Sequence, residues 1–204
     1  KMLNCCLSEA IFANKVLLVE GPSEYMLFSK VLAIVHPFYE ADGIYILPVD
    51  GIGFQMYKSI LDELEIFNVI KTDNDLRAVK GKGTYSVLGF SRCNKYIGKE
   101  LLPTEQIQEN SIAAKRALYN TNIKTLDKIR SEYRIFLSKV DLENDLDEVM
   151  HDRLLTLLEE TSPVDYLQDS KHYHMVELIE KLSDIDCRTI YNHYNFVCLK
   201  EVAE

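Results

Sequence analysis

Carboxylates stand at the ends of three apolar runs in this sequence. The three clusters are Glu20 with Glu24, Asp73 with Asp75, and Asp141 with Glu143 and Asp145. Carboxylate oxygens without a neighbouring Cys or His are the ligands that hard divalent ions such as Mg²⁺ prefer. If the clusters meet, their mutual repulsion must be neutralised by cations for all of them to stay ionised. Two ions about 3.5 to 4 Å apart would activate a water and stabilise the leaving oxygen of a phosphodiester.

The elements around these acids predict that the clusters meet. Apolar runs predict strands at 16–19, 43–51 and 67–75, and helical spacing of apolar residues predicts helices at 23–36 and 54–64. This alternation predicts an α/β fold with a mostly parallel sheet, whose ligand site lies beyond the carboxyl ends of the strands. We expect Ser23 to be the N-cap of the first helix.

A further strand is predicted at 134–146, with the third acidic cluster at its end. Residues i and i+2 of an extended segment face the same way. The spacing therefore predicts that Asp73 and Asp75 point to one site, and that Asp141 and Glu143 do the same.

The segments between and after these strands differ in composition. Residues 76–99 contain glycines and basic residues but no carboxylate, and we expect a loop-rich insertion there. Helices are predicted at 104–120 and 123–133, and the region from 147 to 204 is predicted to be helical.

Each cluster taken alone has a simpler interpretation. A strand-end acid in a chain with 32 Asp and Glu residues is more often a solvated group or a helix-start residue. The occurrence of three clusters after three apolar runs favours the metal site. Other acids, Asp62, Glu63, Glu65, Glu159 and Glu160, lie on helical stretches and are assigned to solvated faces.

Composition limits the class of protein. The 204 residues are 47% hydrophobic and 27% charged, which is typical of a globular chain rather than a disordered or fibrous one. A net charge of -9 argues against a protein that coats nucleic acid by its overall field. Five cysteines without a CxxC pair indicate free thiols. There is no apolar run of about 18 residues and no secretory signal, so we expect no membrane contact and a cytoplasmic location in the bacterial cytosol.

A basic stretch begins directly after the second acidic cluster. Its members are Arg77, Lys80, Lys82, Arg92, Lys95 and Lys99, with Tyr85, Phe90 and Tyr96 between them. This combination favours contact with a nucleic-acid backbone. The alternative is a flexible surface loop. His172 and His174 are interpreted as structural or supporting residues, because residues two apart on a helix face different ways.

The acidic motifs resemble those of a known family. Three segments resemble a Toprim domain, namely "LLVEGPSE", "TDND" and "SKVDLENDL". A more specific similarity, to the C-terminal Toprim domain of OLD (overcoming lysogenization defect) nucleases, lies in "VEGPSEYMLF", "VDGIGF" and "VDLENDL". These nucleases include the endonuclease subunit of the Gabija anti-phage system. The resemblance covers about 14–76 and 134–175. It implies a Rossmann-like Toprim domain over 14–204, with an insertion at about 77–133, a helical C-terminal part at about 147–204, and a lead-in helix at 1–15.

The resemblance also implies a chemistry. In such a family two ions of Mg²⁺ or Mn²⁺ would be held by Glu20, Glu24, Asp73, Asp75, Asp141 and Glu143, with Asp145 as a further candidate, for the cleavage of double-stranded DNA. Glu20 is also expected to act in catalysis, and Lys171 is the expected catalytic lysine in preference to Lys181. Its role would be to neutralise charge on the scissile phosphate.

The implied partners lie outside this sequence. An OLD-type protein carries an ATPase domain on the N-terminal side of the same chain, and no GxxxxGK[ST] phosphate loop occurs here. A homo-oligomer and a helicase-like partner subunit are further expectations, with regulation by ATP. The alternatives are a Toprim primase or topoisomerase module and a non-catalytic interaction module.

Overall fold

A parallel sheet forms the centre of the molecule. The computed structural model describes residues 7–51 and 53–204, except the side chain of Lys171. Its strands are β1 (Lys15–Val19), β2 (Ile44–Pro48), β3 (Phe67–Thr72), β4 (Leu76–Ala78), β5 (Tyr85–Val87) and β6 (Ile135–Leu137). The main sheet has the order β2-β1-β3-β6, and all of its pairs are parallel. The predicted α/β architecture with a mostly parallel sheet is confirmed.

Helices cover both faces of this sheet. They are α1 (Leu7–Ala10), α2 (Pro22–Val35), α3 (Phe54–Glu63), α4 (Leu88–Ile97), α5 (Ile112–Thr121), α6 (Ile123–Tyr133), α7 (Leu142–Leu158), α8 (Pro163–Asp169), α9 (Lys171–Lys181), α10 (Asp184–Asn192) and α11 (Cys198–Ala203). No helix within 7–51 and 53–204 has the length and apolar character needed to cross a membrane. The prediction of a lead-in helix at 1–15 was wrong for its second part, because α1 ends at Ala10, residues 11–14 are not helical and Lys15 begins β1. Residues 1–6 lie outside the described part.

The apolar run of β1 is explained by burial on two sides. Leu17 and Val19 pack into a core with α2 and the C-terminal helices. Val16 and Leu18 point to the opposite face and pack with α3, α4 and α6. Because successive side chains of a strand alternate between faces, a strand covered on both sides is expected to be apolar on both, as residues 16–19 are. After this apolar run the sequence becomes polar at Glu20, where the strand ends.

Helix α2 begins earlier than predicted. Its N-cap is Gly21, Pro22 occupies the first turn, and Ser23 is buried inside the helix. The prediction of Ser23 as N-cap was wrong, because a proline with its fixed φ is well suited to the first helical position. This start brings Glu24 into the first turn, close to the end of β1.

The segment 76–99 is more ordered than predicted. It forms an antiparallel hairpin, β4 with β5, followed directly by α4. The prediction of a loop-rich insertion was wrong because Phe90, Cys93 and Tyr96 recur at helical spacing and are all buried. Gly98 ends α4 in the left-handed conformation, with φ at 74°.

The third acidic cluster lies on a helix rather than on a strand. Strand β6 ends at Leu137, and α7 begins at Leu142 and is kinked at Met150. Asp141 is the N-cap of α7, and its side chain accepts a hydrogen bond from the backbone N–H of Asn144 at 2.9 Å. The predicted strand at 134–146 is therefore limited to its first part. Likewise, the helix predicted at 104–120 begins only at Ile112, after its N-cap Ser111.

Candidate metal centre

A cavity of about 170 Å³ opens at the carboxyl ends of β1 and β3. Four of the predicted metal ligands line it: Glu20, Glu24, Asp73 and Glu143. They come from the end of β1, the first turn of α2, the turn after β3 and the first turn of α7. Backbone and side-chain atoms of Gly21, Gly51, Leu142 and His172 complete much of the wall.

Glu20 is held in place by the neighbouring strand. Its Oε1 accepts hydrogen bonds from Thr72 Oγ1 at 2.6 Å and from the backbone N–H of Asp73 at 2.9 Å. Both donors belong to the end of β3, which pairs with β1. The parallel pairing therefore sets the orientation of this carboxylate.

Asp73 lies where negative charges accumulate. Its Oδ1 accepts a hydrogen bond from Ser138 Oγ at 3.1 Å. Burial raises its pKa well above the usual value, and the charges of Glu20, Glu24 and Asp141 raise the pKa further, while Lys71 lowers it. Ionised Asp73 is thus stabilised too little by the protein's own groups, which is the condition that a bound cation relieves.

The acids of α7 separate into different environments. Asp141 caps the helix through Oδ1, and its Oδ2 accepts a hydrogen bond from Gln168 Nε2 at 3.0 Å. Glu143 lines the cavity and is only 1% exposed. The prediction that Asp141 and Glu143 share one side of an extended segment was wrong, because the backbone is helical from Leu142. Glu143 still reaches the predicted site from the first turn.

Asp145 points away from the cavity. Its Oδ2 accepts a hydrogen bond from Lys71 Nζ at 2.8 Å, and its Oδ1 accepts one from the backbone N–H of Lys139 at 3.2 Å. The side chains of Lys71 and Asp145 are 3% and 1% exposed. This ion pair connects β3 to α7 in the interior, and Asp145 is absent from the walls of the cavity.

Asp75 lies beside the cavity and is paired with an arginine. Arg92 Nη2 donates to Asp75 Oδ2 at 2.7 Å and to the backbone carbonyl of Asp73 at 2.8 Å. Arg92 Nη1 lies 3.4 Å from Glu20 Oε1, and the Arg92 side chain is 5% exposed. A buried guanidinium cannot track a DNA backbone, so Arg92 departs from its predicted role in DNA binding.

Helix α4 presses closely against the turn that carries Asp73 and Asp75. A Cβ added to Gly89 would lie 2.8 Å from the carbonyl oxygen of Asp73 and 2.9 Å from the Cα of Asn74. These distances are shorter than any side chain tolerates, so only glycine permits this approach. Gly89 N–H also donates to the Asp75 carbonyl at 3.0 Å.

The other predicted basic residues lie on the surface. Arg77, Lys80 and Lys82 belong to the exposed hairpin of β4 and β5, and Lys95 and Lys99 lie on and after α4 with exposed side chains. Lys99 Nζ donates to Tyr133 Oη at 3.2 Å.

The lysine and histidine candidates fall on α9. The backbone of Lys171 begins this helix, but its side chain lies outside the described part. Lys181, at the far end, donates to the Leu157 carbonyl at 2.8 Å and to Glu177 at 2.7 Å. His172 lines the cavity, whereas His174 stacks on Tyr166 with ring centroids 3.6 Å apart.

Comparison with known proteins agrees with this geometry. Residues 11–75 match the family described as "Overcoming lysogenization defect protein-like, TOPRIM domain". This match assigns a Toprim domain of the OLD-like kind to residues 11–75. This Toprim segment contains Glu20, Glu24, Asp73 and Asp75, which are four of the predicted site residues.

A curated relative of this chain is "Endonuclease GajA" of Bacillus cereus (strain VD045), which is 42% identical over 214 residues. The alignment covers 99% of this chain but 37% of the relative, so the chain spans little more than a third of that protein. Two solved structures share the fold. The C-terminal region of the Burkholderia pseudomallei OLD protein has a TM-score of 0.54 at 19% identity, with 94% of this chain and 97% of that chain covered. The corresponding region from Xanthomonas campestris pv. campestris has a TM-score of 0.53 at 17% identity, with coverages of 93% and 96%.

Several residues that shape the cavity are not predicted from the sequence. Thr72 and Ser138 orient Glu20 and Asp73, and neither is part of an acidic cluster. Asn74 is fully buried, and its Nδ2 donates to the carbonyls of Lys115 and Lys139 at 3.1 Å each. Only Asn74 left a signal, as an amide between two acids in "TDND". These contacts fix the acidic turn after β3 to α5 and to the segment that follows β6.

The ligand atoms available in the cavity are of the type that a hard divalent cation prefers. All four acids lining it offer carboxylate oxygens, which Mg²⁺ and Mn²⁺ prefer. Within the described part of the chain, no three Asp, Glu, His or Cys side chains already surround a common point as ligands. The carboxylates would therefore have to move closer together around a bound ion, and the charge of that ion would offset their repulsion around Asp73.

Proposed function

We propose that this chain is the nuclease domain of an OLD- or Gabija-type defence protein, and that it cleaves phosphodiester bonds of double-stranded DNA with the help of divalent ions. The observation that carries the proposal is the cavity in which Glu20, Glu24, Asp73 and Glu143 meet. Burial and neighbouring carboxylates raise the pKa of Asp73, as expected of a site that is completed by cations. The relative named as an endonuclease supports the same activity.

The residues have distinct roles in this proposal. Glu20, Glu24, Asp73 and Glu143 hold Mg²⁺ or Mn²⁺, with Asp75 and Asp141 at the margin as candidates for a second ion. When bound, the ions supply a nucleophilic water and stabilise the leaving oxygen. Thr72 and Ser138 hold Glu20 and Asp73 in place through their hydroxyl groups. Lys171 neutralises charge on the phosphate.

The path of the DNA follows the exposed basic residues. Arg77, Lys80 and Lys82 lie on the hairpin that begins next to Asp75, and Lys95 and Lys99 are exposed on the α4 side. Charged side chains placed beside an acidic cavity would hold the phosphate backbone while the scissile bond approaches the ions. Arg92 has no part in this path because it is buried.

The rest of the protein completes the proposal. We further propose an ATPase domain on the N-terminal side of the same full-length chain, and the greater length of the matched relative is compatible with such a domain. The full-length protein is expected to form a homo-oligomer, to be regulated by ATP and to act with a helicase-like subunit in the bacterial cytosol. The Toprim domain occupies 14–204, with the segment at about 77–133 as an insertion.

Cleavage of supercoiled plasmid tests this function. Full-length protein with Mg²⁺ or Mn²⁺ is expected to nick or cut the plasmid, and EDTA should abolish the reaction. Glu20→Gln and Glu143→Gln should each lower the rate at least tenfold, because each removes a charged ligand. Glu63→Gln is the matched control, since Glu63 is an exposed acid on α3. Cleavage that survives in both cavity variants would contradict the proposal.

A second experiment addresses the DNA path and the alternative of a non-catalytic module. Lys80→Gln with Lys82→Gln should weaken DNA binding and reduce its salt dependence, while Lys124→Gln with Lys128→Gln on α6 should not. Lys124 and Lys128 are exposed on a different element. DNA binding without cleavage in any metal would favour the interaction module over the nuclease.

A further inference from the structure

Arg92 is a buried positive charge at the acidic edge of the sheet. Its Nη2 bonds to the carboxylate of Asp75 and to the backbone carbonyl of Asp73. Its Nη1 faces Glu20 Oε1 at 3.4 Å. The side chain is 5% exposed, so this guanidinium acts on the protein's own acids rather than on groups in solvent.

The hydrogen bonds of this guanidinium are incomplete. Nε and Nη1 of Arg92 are buried and have no hydrogen-bond partner among the described residues. A guanidinium has five N–H donors, and buried donors without partners are unfavourable. Arg92 is therefore held mainly by its attraction to two carboxylates, which depends on charge and can be replaced by another cation.

The position of Arg92 is fixed by its helix. The contact of Gly89 with the acidic turn holds α4 against Asp73 and Asp75. Arg92 therefore lies on the same helix, three residues after Gly89, whose backbone contact with the acidic turn leaves no room for a side chain. In the described part, Lys71 is the other buried cation close to Asp73, and it is bound to Asp145 and to the Asn195 carbonyl.

These contacts involve only some of the acids at the cavity edge. Arg92 contacts Glu20 and Asp75. Glu24, Asp73 and Glu143 line the cavity together with Glu20, but the structure of 7–51 and 53–204 shows no contact of their carboxylates with Arg92. Glu24 and Asp141 add negative charge near Asp73. A divalent ion entering beside Glu20 and Asp75 would meet a positive charge already bound to the same carboxylates. Their repulsion in a site with little water is strong.

We propose that Arg92 is a positioning residue that serves as an internal counter-charge for Glu20 and Asp75 and competes with one divalent cation for these two carboxylates. The inference rests on the proposed function and specifies which of its two ions is held weakly. The first ion binds beside Glu24, Asp73 and Glu143. The second ion binds beside Glu20 and Asp75 only when the guanidinium is displaced.

Titration with Mn²⁺ tests the competition without any activity measurement. Free Mn²⁺ is measured by electron paramagnetic resonance in full-length protein without DNA or nucleotide. The same titration is carried out on a triple variant, Glu24→Gln/Glu143→Gln/Asp75→Asn, which lacks three of the proposed ligands. Mn²⁺ binding that remains in this variant is assigned to other parts of the protein and subtracted. The wild type is expected to show two steps, with the second Kd at least tenfold weaker than the first. Arg92→Gln should tighten the second step at least fivefold and change the first less than twofold.

Two further variants control this experiment. Arg92→Lys keeps the charge but loses the planar guanidinium that bridges two carboxylates. The Kd of its second step should therefore lie between those of the wild type and Arg92→Gln. Arg188→Gln removes an exposed arginine on α10 and should leave both steps unchanged. Circular dichroism and thermal melting check folding, and Arg92→Lys carries the test if Arg92→Gln does not fold.

The outcomes distinguish this inference from the function on which it rests. Two wild-type steps of equal affinity, or a second step that is unchanged or weaker in Arg92→Gln, would overturn the competition while leaving the metal site intact. A wild type that binds no Mn²⁺ beyond the subtracted sites would overturn both the inference and the proposed function.

Discussion

Two carboxylates in the first turn of α7 are equally buried and have opposite roles. Glu143 and Asp145 are each 1% exposed. Glu143 lines the cavity, whereas Asp145 forms an ion pair with Lys71 in the interior. Residues two apart on a helix are separated by about 200° around its axis, so the two side chains must face different surroundings.

The difference shows two ways in which a buried acid is accommodated. Asp145 has a cation supplied by the chain, so its charge is part of the folded structure. Glu143 belongs to a cavity whose negative charge raises the pKa of neighbouring Asp73. The internal pair also serves the cavity, because it joins α7 to β3 and so fixes the direction in which Glu143 points. The following predictions test this division.

The largest effect on stability is expected from Asp145→Asn. The variant leaves Lys71 buried without its counter-charge, and breaking such a pair lowers the free energy of unfolding by about 3 to 5 kcal/mol. Urea denaturation at neutral pH measures the change. Asp152→Asn, at an exposed position of the same helix, should change it by less than about 0.5 kcal/mol.

A paired replacement sharpens this result. Lys71→Met combined with Asp145→Leu removes both charges and should recover most of the lost stability. A loss as large as that of Asp145→Asn alone would show that the hydrogen bonds to Lys139 and Asn195, rather than the pairing of charges, determine the stability of this region.

Glu143→Gln should affect metal binding more than stability. We expect Mn²⁺ affinity to fall at least tenfold, equivalent to about 1.4 kcal/mol, because a charged oxygen ligand is lost. The loss of unfolding free energy should be smaller than in Asp145→Asn. The reverse order, with Glu143→Gln more destabilising and Mn²⁺ affinity unchanged, would remove the distinction between the two acids.

Asp141 stands between the two cases, since it caps α7 and also adds negative charge near Asp73. Asp141→Ala removes the cap and should lower the free energy of unfolding by about 1 kcal/mol. Asp141→Asn keeps a side-chain acceptor and should lower the free energy of unfolding by only a few tenths of a kcal/mol. Equal losses in the two variants, measured by urea denaturation, would indicate that the charge rather than the cap stabilises the helix.

The smallest effect concerns the pH dependence of the metal-free protein. The pKa of Asp73 is raised in the folded state, so the unfolded chain loses this proton first as the pH rises. The resulting destabilisation begins above the ordinary carboxyl pKa and is complete once the pH exceeds the raised value. Asp73→Asn should therefore stabilise the protein in EDTA at neutral pH and have little such effect in acid. Denaturation at several pH values measures this, and a destabilised variant at neutral pH would contradict it.

The sequence allowed the edge of the sheet to be located but not the local backbone of every acid. An apolar β-α-β alternation implies parallel strands with a common carboxyl edge, which predicts that Glu20 and Asp73 lie close together. The direction of Glu143 could not be derived in the same way. "VDLENDL" follows an apolar run like a strand end, and only the cap at Asp141 reveals that a helix starts there.

Partners distant in sequence explain the remaining differences. Lys71 and Asp145 are separated by 74 positions, and nothing in either local pattern predicts their pairing. Arg92 lies among exposed basic residues, so its position suggested DNA contact. Its burial depends on α4 packing against the acidic turn, which composition does not reveal. Charge alone thus predicts a basic surface, while tertiary packing decides which residues belong to it.

The close approach of Gly89 to the acidic turn has a consequence for how the domain can be altered. Although the hairpin and α4 interrupt the order of the main sheet strands, their removal would leave Asp73 and Asp75 without the wall on which their backbone rests. A shortened chain joined from the turn directly to α5 would lose the shape of its acidic edge along with the deleted surface. Engineers who wish to trim this domain should retain 76–98 as part of its minimal unit.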